Sequence, residues 1–272
     1  MKAERHNKSA QQEIDSPHDG KLAASGQVLT QLLQIREQRG AGYLVLIDPD
    51  KWPPARLPEV ASAAGEQGAD AVLIGGSLLM KPNFDDLVLA IKQSAKVPTI
   101  LFPGSTIQIS RHADAILFLS LVSGRNPNYL IGEQVLAAPV IKYLGIEPIP
   151  TAYMLIESGR TTSAEFMSAT RPIPRDKNDI AIATSLAAEF LGFRLIYLEA
   201  GSGAENPVPP EMVAAVSSFV NIPLIVGGGI RTPEAAAERV AAGAAFIVTG
   251  NVLEKDGHSQ LIQEFAAAIH QR

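Results

Sequence analysis

Short apolar runs recur along the chain, and stretches with helical periodicity lie between them. The runs are continuously apolar rather than alternating, which is typical of strands covered on both faces, as in a parallel sheet. The eight runs are YLVLID (43–48), AVLIGG (71–76), TILFPG (99–104), AILFLSLV (115–122), PIPTAYMLIE (148–157), LIYLEAG (195–201), PLIVGGG (223–229) and AFIVTGN (245–251).

Helix start and stop signals occupy the segments between the runs. In TPEAAAERVAAGA, Thr232 is placed to cap a helix, Pro233 to take its first position and Gly243 to end it. In DIAIATSLAAEFLG, Asp179 is predicted as the cap and Gly192 as the stop. Eight strand–helix units predict an α/β fold, a (β/α)8 TIM barrel. A doubly wound open sheet is the alternative, and eight consecutive units make it the weaker one.

The residues before the first strand are predicted to form a helix and a tail. A helix is predicted over residues 25–40, before the first strand, where it would cover one end of the barrel. We expect residues 25–272 to form a single barrel domain and the polar residues 1–24 to form a disordered tail. This tail lacks the apolar segment of a secretory signal, and no apolar run reaches the roughly 18–20 residues of a membrane span.

Composition narrows the classes of function. The chain has 272 residues, 46% of them hydrophobic, which is enough for one large core. A net charge of −5 argues against nucleic acid as a partner. The lack of cysteine excludes thiolate catalysis and Cys-ligated zinc, and it fits a cytoplasmic location. None of the five histidines lies at a predicted strand end, which disfavours a histidine-based zinc site.

Two connections have irregular lengths. Only ten residues separate Gly104 from Ala115, so the helix after the third strand is predicted to be modified or missing. The loop over residues 158–178 is unusually long and basic. It could be a solvated insertion, but long loops on the active face of a barrel more often build the site. The basic residues of this loop are Arg160, Arg171, Arg175 and Lys177.

Glycines cluster after the last strands. Gly227, Gly228 and Gly229 end the seventh run, and Gly250 with Asn251 ends the eighth. Glycines of this kind can simply make tight turns. In barrel enzymes, however, these two loops commonly bind phosphate, because glycine lets backbone N–H groups approach the anion. The sequence therefore predicts a phosphate site at this edge.

Carboxylates accompany the glycines. Glu199 ends the sixth strand, and it is either a salt-bridged structural residue or a group that orients a substrate hydroxyl and takes its proton. Asp48 ends the first strand in LIDPDK, and Ser77 follows the second. Such oxygens suit Mg2+, although an Asp-Pro pair often only caps a helix. Two anion sites, one with magnesium, predict two phosphorylated substrates.

The motifs together resemble the geranylgeranylglyceryl phosphate synthase family, over residues 42–255. They are LIDPDK, GGS, SGRNPNYLIGEQ, IPTAYMLIESG, TRPIPRDKNDIA, YLEAGSGA, VGGGIRTPE and VTGNVLE, in that order. The resemblance implies a (β/α)8 barrel with a modified third helix. It also implies a Mg2+-dependent prenyltransferase, in which the 3-hydroxyl of sn-glycerol 1-phosphate attacks C1 of a polyprenyl diphosphate. An ether forms and diphosphate leaves, the first ether-bond step of glycerophospholipid synthesis.

The resemblance also assigns residues. It implies Asp48 and Ser77 as magnesium positions and Glu199 as the catalytic residue. The glycerol phosphate contacts that it implies are Tyr197, Leu198, Glu199, Ala200, Gly201, Ser202, Gly203, Gly228, Gly229, Gly250 and Asn251. Leu46 stands where one branch of the family has a lysine, so the chain resembles the second branch, which is related to heptaprenylglyceryl phosphate synthases and favours a geranylgeranyl donor.

Charge and placement make Arg175 and Lys177 candidate contacts for the diphosphate, or parts of a lid. The prenyl tail is expected in an apolar groove near FPGS (102–105), with its chain length left open. Lipid substrates suggest a transient contact with a membrane surface, and family members lead us to expect a homo-oligomer. Two alternatives remain: a barrel isomerase or lyase acting on a phosphosugar, and a barrel that binds a phosphorylated ligand without turnover.

Overall fold

Eight parallel strands close into a barrel in a computed structural model that describes residues 26–254 and 258–271. The strands pair in sequence order, and β1 closes the barrel against β8, with Tyr43 opposite Ile247. The predicted TIM barrel is therefore confirmed, and the open sheet is excluded. The strands are β1 Gly42–Ile47, β2 Ala71–Ile74, β3 Thr99–Leu101, β4 Ala115–Leu121, β5 Glu147–Leu155, β6 Leu195–Glu199, β7 Leu224–Gly227 and β8 Phe246–Thr249.

Helices surround the barrel. They are α1 Gln27–Arg39, α2 Leu57–Glu66, α3 Phe84–Ser94, α4 Glu133–Leu144, α5 Ser163–Ser168, α6 Asn178–Phe190, α7 Pro210–Ser217, α8 Pro233–Ala241 and α9 His258–Ile269. No helix within the described ranges is both long and apolar enough to cross a membrane. The tail predicted over residues 1–24 lies outside the described residues.

Helix capping agrees with the sequence at one helix and differs at another. The Thr232 hydroxyl accepts a hydrogen bond from the Ala235 N–H at 3.2 Å, as the motif predicts. The prediction that Asp179 caps α6 is wrong, because the helix already starts at Asn178 and Lys177 occupies the capping position. Asp179 lies in the first turn instead, where its charge still favours the helix dipole.

Alternate side chains of each strand pack on two sides. One set fills the barrel interior, and the other packs against the helices, which explains why the runs are continuously apolar. Interior residues include Leu44, Leu73, Ile100, Leu117, Tyr197 and Phe246, and outward residues include Val45, Val72, Ile116, Leu198, Val226 and Ile247. At the end of β6, Tyr197 and Glu199 therefore face inward, whereas Leu198 faces the helices.

Helix α1 closes the amino-terminal end of the barrel, as expected. Its residues Val28, Leu29 and Leu32 pack against the interior side chains. The buried carboxylate of Glu147, at the start of β5, accepts hydrogen bonds from the N–H groups of Val28 at 2.8 Å and Leu29 at 3.1 Å. Both groups are otherwise unpaired donors at a helix start, so Glu147 holds the helix in place.

The barrel lacks a helix between β3 and β4. A single 3-10 turn, Thr106–Gln108, stands where a helix would follow β3, which confirms the prediction of a missing helix. The two strands pair at only two positions, so most of β4 has no strand on that side. The Gln134 amide of α4 donates to the carbonyl oxygens of Leu119 and Tyr129 and thereby covers the exposed backbone of β4.

Candidate active site

A cavity of about 560 Å³ opens at the carboxyl ends of the strands. One end is polar and lies among the loops that follow the first, second, sixth, seventh and eighth strands. The other end is apolar and extends past β4 to α4. The polar side chains that line it include Asp48, Ser77, Glu199, Ser202, Asn251 and Glu254, and the apolar ones include Phe102, Ile116, Phe118, Leu121, Ala137 and Ile141.

The glycine loop after β7 lies directly against Glu199. Gly228 and Gly229 have φ angles of 76° and 71°, a region that L side chains rarely adopt. A Cβ atom at Gly228 would lie 2.2 Å from Glu199 Oε1 and 2.6 Å from the Gly201 nitrogen. Only glycine therefore lets this loop approach the end of β6, and Gly228, Gly229 and Gly250 all line the cavity.

Glu199 is a buried carboxyl with few hydrogen-bond donors. Only 5% of the residue is exposed, and Oε1 accepts one hydrogen bond, from the Gly201 N–H at 2.5 Å. Burial raises the pKa of Glu199 to about 7, against the opposing effects of the Gly201 N–H and the nearby Tyr197 hydroxyl. A carboxyl with this pKa can accept a proton from a substrate hydroxyl near neutral pH.

Three aromatic rings form the inner wall beside Glu199. Phe102 stacks on Tyr197 with ring centroids 5.1 Å apart, and Tyr153 contacts Tyr197 at 5.5 Å. Burial, reinforced by the charge of Glu199, raises the pKa of both tyrosines. The Tyr197 hydroxyl has no partner of hydrogen-bonding geometry among the described residues. A buried hydroxyl without a partner is costly, so a polar ligand group is expected there.

Asp48 and Ser77 lie at the cavity as the sequence predicts. Asp48 Oδ1 accepts a hydrogen bond from the Asp50 N–H at 2.9 Å, and burial raises the pKa of Asp48. The carboxylate lies against Gly76, where a Cβ atom would be 2.8 Å from Oδ2. Asp50 points elsewhere, because its oxygens accept from the N–H groups of Met80 and Lys81.

The donor set suits magnesium better than zinc. The described part of the chain contains no group of three or more His, Cys, Asp or Glu side chains that could hold a metal. Magnesium is commonly bound through one or two carboxylates together with substrate phosphates and water. One carboxylate, Asp48, and the Ser77 hydroxyl beside a phosphate site fit that pattern.

Side-chain hydrogen bonds connect the loops after β6 and β8. The Ser202 hydroxyl donates to Asn251 Oδ1 at 2.9 Å, and Asn251 Nδ2 donates to Glu254 Oε1 at 2.9 Å. Glu254 was not singled out from the sequence, although it closes the VTGNVLE motif. Burial raises the pKa of Glu254. The cavity therefore carries a second carboxyl near Asp48, on the 3-10 turn that follows the neighbouring strand β8.

Some predicted contacts lie away from the cavity. The side chains of Leu198 and Ala200 pack in the outer layer, and the Gly201 N–H is used by Glu199. Arg175 and Lys177 do not line the cavity. The Arg175 guanidinium donates to the carbonyl oxygens of Glu157 at 3.1 Å and Pro207 at 3.3 Å. The long loop instead contributes Ser163, Ala164, Met167 and Ser168 to the cavity wall.

Comparison with known proteins agrees with this geometry. The model of the PcrB family matches residues 33–269. The geranylgeranylglyceryl phosphate synthase of Thermococcus kodakarensis is 50% identical over 223 residues, which are 82% of this chain and 88% of that protein. That of Chitinophaga pinensis is 46% identical over 228 residues, 84% of this chain and 90% of that protein.

A solved structure is also similar throughout. The (S)-3-O-geranylgeranylglyceryl phosphate synthase from Thermoplasma acidophilum, in complex with its substrate sn-glycerol-1-phosphate, has a TM-score of 0.85 and 37% sequence identity. The alignment covers 90% of this chain and 99% of that one. The similarity therefore extends over most of the chain.

Proposed function

This chain belongs to the PcrB family, and from that premise we propose that it joins sn-glycerol 1-phosphate to a polyprenyl diphosphate through an ether bond. The observation that carries the proposal is the two-part cavity. Its polar end has glycine loops and a buried carboxyl, and its apolar end lies between β4 and α4, on the side where no helix follows β3. A small phosphorylated alcohol fits the first part, and a prenyl chain fits the second.

Glu199 gives the polar end its chemistry. The 3-hydroxyl of glycerol phosphate attacks C1 of the prenyl group, the bond from C1 to the diphosphate oxygen breaks, and the hydroxyl proton passes to Glu199. A carboxyl with a pKa of about 7 is ionised to a useful fraction at neutral pH and is basic enough to take this proton. The unpartnered Tyr197 hydroxyl can bind and orient the glycerol.

We propose magnesium as the cofactor. Asp48 and Ser77 would hold it, and its charge would neutralise the diphosphate as that group leaves. The half-buried Asp48 carboxylate is already fixed by the Asp50 N–H, so little reorganisation is needed for binding. The Asp48 carboxylate and the Ser77 hydroxyl, which both line the cavity, support this part of the proposal.

The prenyl donor is proposed to be geranylgeranyl diphosphate, the donor favoured by the branch that the sequence resembles. Its chain would lie between β4 and α4. Ile116 and Phe118 of β4 form one side of this branch of the cavity, and Ala137 and Ile141 of α4 form the other. None of these four side chains carries a polar atom, so the branch suits a hydrocarbon chain.

Exposed apolar surface supports the two expected partners. On the outer face of α4, Leu136 is 66% and Tyr143 79% exposed, and we propose that a second copy of the chain covers this face. Met80, which lines the cavity, is 76% exposed, and Phe166, next to the cavity-lining Met167, is 77% exposed, which fits a transient contact with a membrane from which a prenyl substrate is drawn. The cytoplasmic location stays a prediction.

The function is tested by incubating the purified protein with radiolabelled sn-glycerol 1-phosphate, geranylgeranyl diphosphate and Mg2+. We expect label in the organic phase, which is lost with EDTA and much reduced when sn-glycerol 3-phosphate replaces the 1-phosphate. Prenyl diphosphates of other lengths are tested in parallel. Absence of product with every chain length would refute the prenyltransferase function, and turnover of a phosphosugar without a prenyl donor would favour an isomerase or lyase.

A further inference from the structure

Positive charge is scarce in the cavity, although both proposed substrates are anions. Among the described residues that line it, only Lys51 and Arg231 are basic. Arg231 is already engaged, because its guanidinium donates to the carbonyl oxygens of Ala204 and Glu205. Lys51 is therefore the lining cation that is left to meet a ligand.

The turn that carries Lys51 is built rigidly. It is the 3-10 turn Pro49–Lys51, which directly follows Asp48, and the Lys51 N–H donates to the Asp48 carbonyl oxygen at 3.0 Å. A second lysine stabilises this turn. Lys81 Nζ donates to the carbonyl oxygens of Pro49 at 2.8 Å, Asp50 at 3.2 Å and Trp52 at 2.6 Å. The Lys51 backbone is thus fixed beside Asp48.

The Lys51 ammonium has a different environment from that of Lys81. Its side chain is exposed at the cavity, and its Nζ donates no hydrogen bond of standard geometry within the described residues. Strand β1 pairs with β8, so Asp48 and Glu254 both lie nearby, and the charge of Lys51 lowers the pKa of each carboxyl. A ligand can therefore approach this ammonium without breaking a hydrogen bond of its own.

We propose that Lys51 binds the diphosphate of the prenyl substrate, beside the magnesium position at Asp48; this inference rests on the proposed function. When the bond from C1 breaks, its electron pair stays on the diphosphate oxygen, and the ammonium stabilises the charge that develops there. The glycine loops on the sixth to eighth strands take the other anion, glycerol phosphate. Lys51 replaces Arg175 and Lys177 in this role, since neither of those lines the cavity.

The test uses four variants of the full-length chain. Lys51→Met removes the charge and keeps most of the side-chain volume, and Lys51→Arg restores the charge. Lys96→Met is the matched control, because Lys96 pairs only with the surface carboxylate of Glu66, at 2.7 Å. Lys177→Met represents the loop cations. Binding of inorganic diphosphate with Mg2+, and of glycerol 1-phosphate alone, is measured by calorimetry next to steady-state kinetics, and circular dichroism checks folding.

For Lys51→Met we expect diphosphate binding to weaken roughly 10- to 100-fold, the range for loss of a charge-assisted hydrogen bond. The KM for the prenyl diphosphate should rise, and kcat should fall. Lys51→Arg should recover most of the binding, glycerol phosphate binding should stay within about twofold, and Lys96→Met should match the wild type.

Three outcomes would overturn the inference. They are unchanged diphosphate binding in Lys51→Met, a defect confined to glycerol phosphate, and a larger loss in Lys177→Met than in Lys51→Met. Failure of the proposed function is distinguishable from these, because a wild type that binds diphosphate through Lys51 but makes no product would sink only the prenyl transfer.

Discussion

Two buried carboxylates at opposite ends of the barrel have opposite surroundings. Asp70 and Glu199 are each 5% exposed. At the amino-terminal end, Asp70 accepts from Arg39 Nη1 at 2.8 Å and from the Tyr43 N–H at 2.8 Å, and it shares a 2.9 Å hydrogen bond with His270 Nε2. At the cavity, Glu199 accepts from the Gly201 N–H, and the Tyr197 hydroxyl lies beside it.

The two carboxylates therefore have different roles: Asp70 stabilises the fold, and Glu199 is available for chemistry. Asp70 ties the end of α1 and the segment after α9 to the start of the barrel, so every donor around it contributes to folding. The buried carboxyl oxygens of Glu199 can accept further hydrogen bonds. This lowers the stability of the fold but allows Glu199 to bind a substrate hydroxyl. The rest of the fold must compensate for the instability of such a site, and replacing its functional group often raises stability while lowering activity.

The largest expected effect comes from Glu199→Gln. The amide keeps the shape and can still accept from the Gly201 N–H, but it cannot take a proton. We expect kcat to fall roughly 100- to 10,000-fold, the range for loss of a general base. The kcat/KM of the wild type should rise with pH through about 7, as Glu199 ionises, and this rise should be absent in the variant. An unchanged pH profile would assign the proton to another group.

The same variant should gain stability, but only at higher pH. The pKa of Glu199 is raised on folding, from 4.5 to about 7, so the wild type loses stability as pH rises between these values. Glutamine has no such loss. Chemical denaturation at pH 8 should show a gain of up to about 3 kcal/mol, which should largely disappear near pH 4.5. A gain that is independent of pH would mean that packing, not ionisation, is the cause.

The site is predictable from the sequence where it depends on strand ends. Parallel strands bring their carboxyl ends to one edge, so Asp48, Ser77, Glu199 and the glycines of two loops had to meet there once eight strands were recognised. The missing helix after β3 follows from a chain segment too short to form it. These features depend on local pattern and on topology alone.

The rest depends on contacts between distant segments. Arg175 is charged and lies in the long loop, yet the loop folds so that its guanidinium meets the carbonyl oxygens of Glu157 and Pro207. The sequence does not distinguish the roles of Lys51 and Lys81. Only the structure shows that Lys81 supports the turn and that Lys51 faces the cavity. The sequence also does not reveal that the Tyr197 hydroxyl has no hydrogen bond of standard geometry within the described residues.

An intermediate effect is expected for Asp70→Ala. Removal of the carboxylate leaves the buried Tyr43 N–H without its acceptor and takes one hydrogen-bond partner each from Arg39 and His270, and a buried donor left unsatisfied costs about 1–3 kcal/mol. The free energy of unfolding should fall by this amount in urea, while kcat per folded molecule at 25 °C stays near that of the wild type. A large loss of kcat in the folded variant would show that the two ends of the barrel are coupled.

The smallest effect, and the sharpest test of the comparison, is expected for Tyr197→Phe. The substitution removes only the hydroxyl, which lies beside Glu199 and has no hydrogen bond of standard geometry within the described residues, and the ring keeps its stacking on Phe102. Because a buried unpaired hydroxyl costs roughly 1–3 kcal/mol, stability should stay constant or rise slightly.

If the hydroxyl binds the glycerol, the KM for glycerol 1-phosphate should rise about three- to tenfold, since a neutral hydrogen bond contributes roughly 0.5–1.5 kcal/mol. The KM for the prenyl diphosphate should not change. A clear loss of stability with unchanged kinetics would instead make Tyr197 resemble Asp70, as a residue whose polar atom serves folding, and the contrast between the two ends of the barrel would then rest on Glu199 alone.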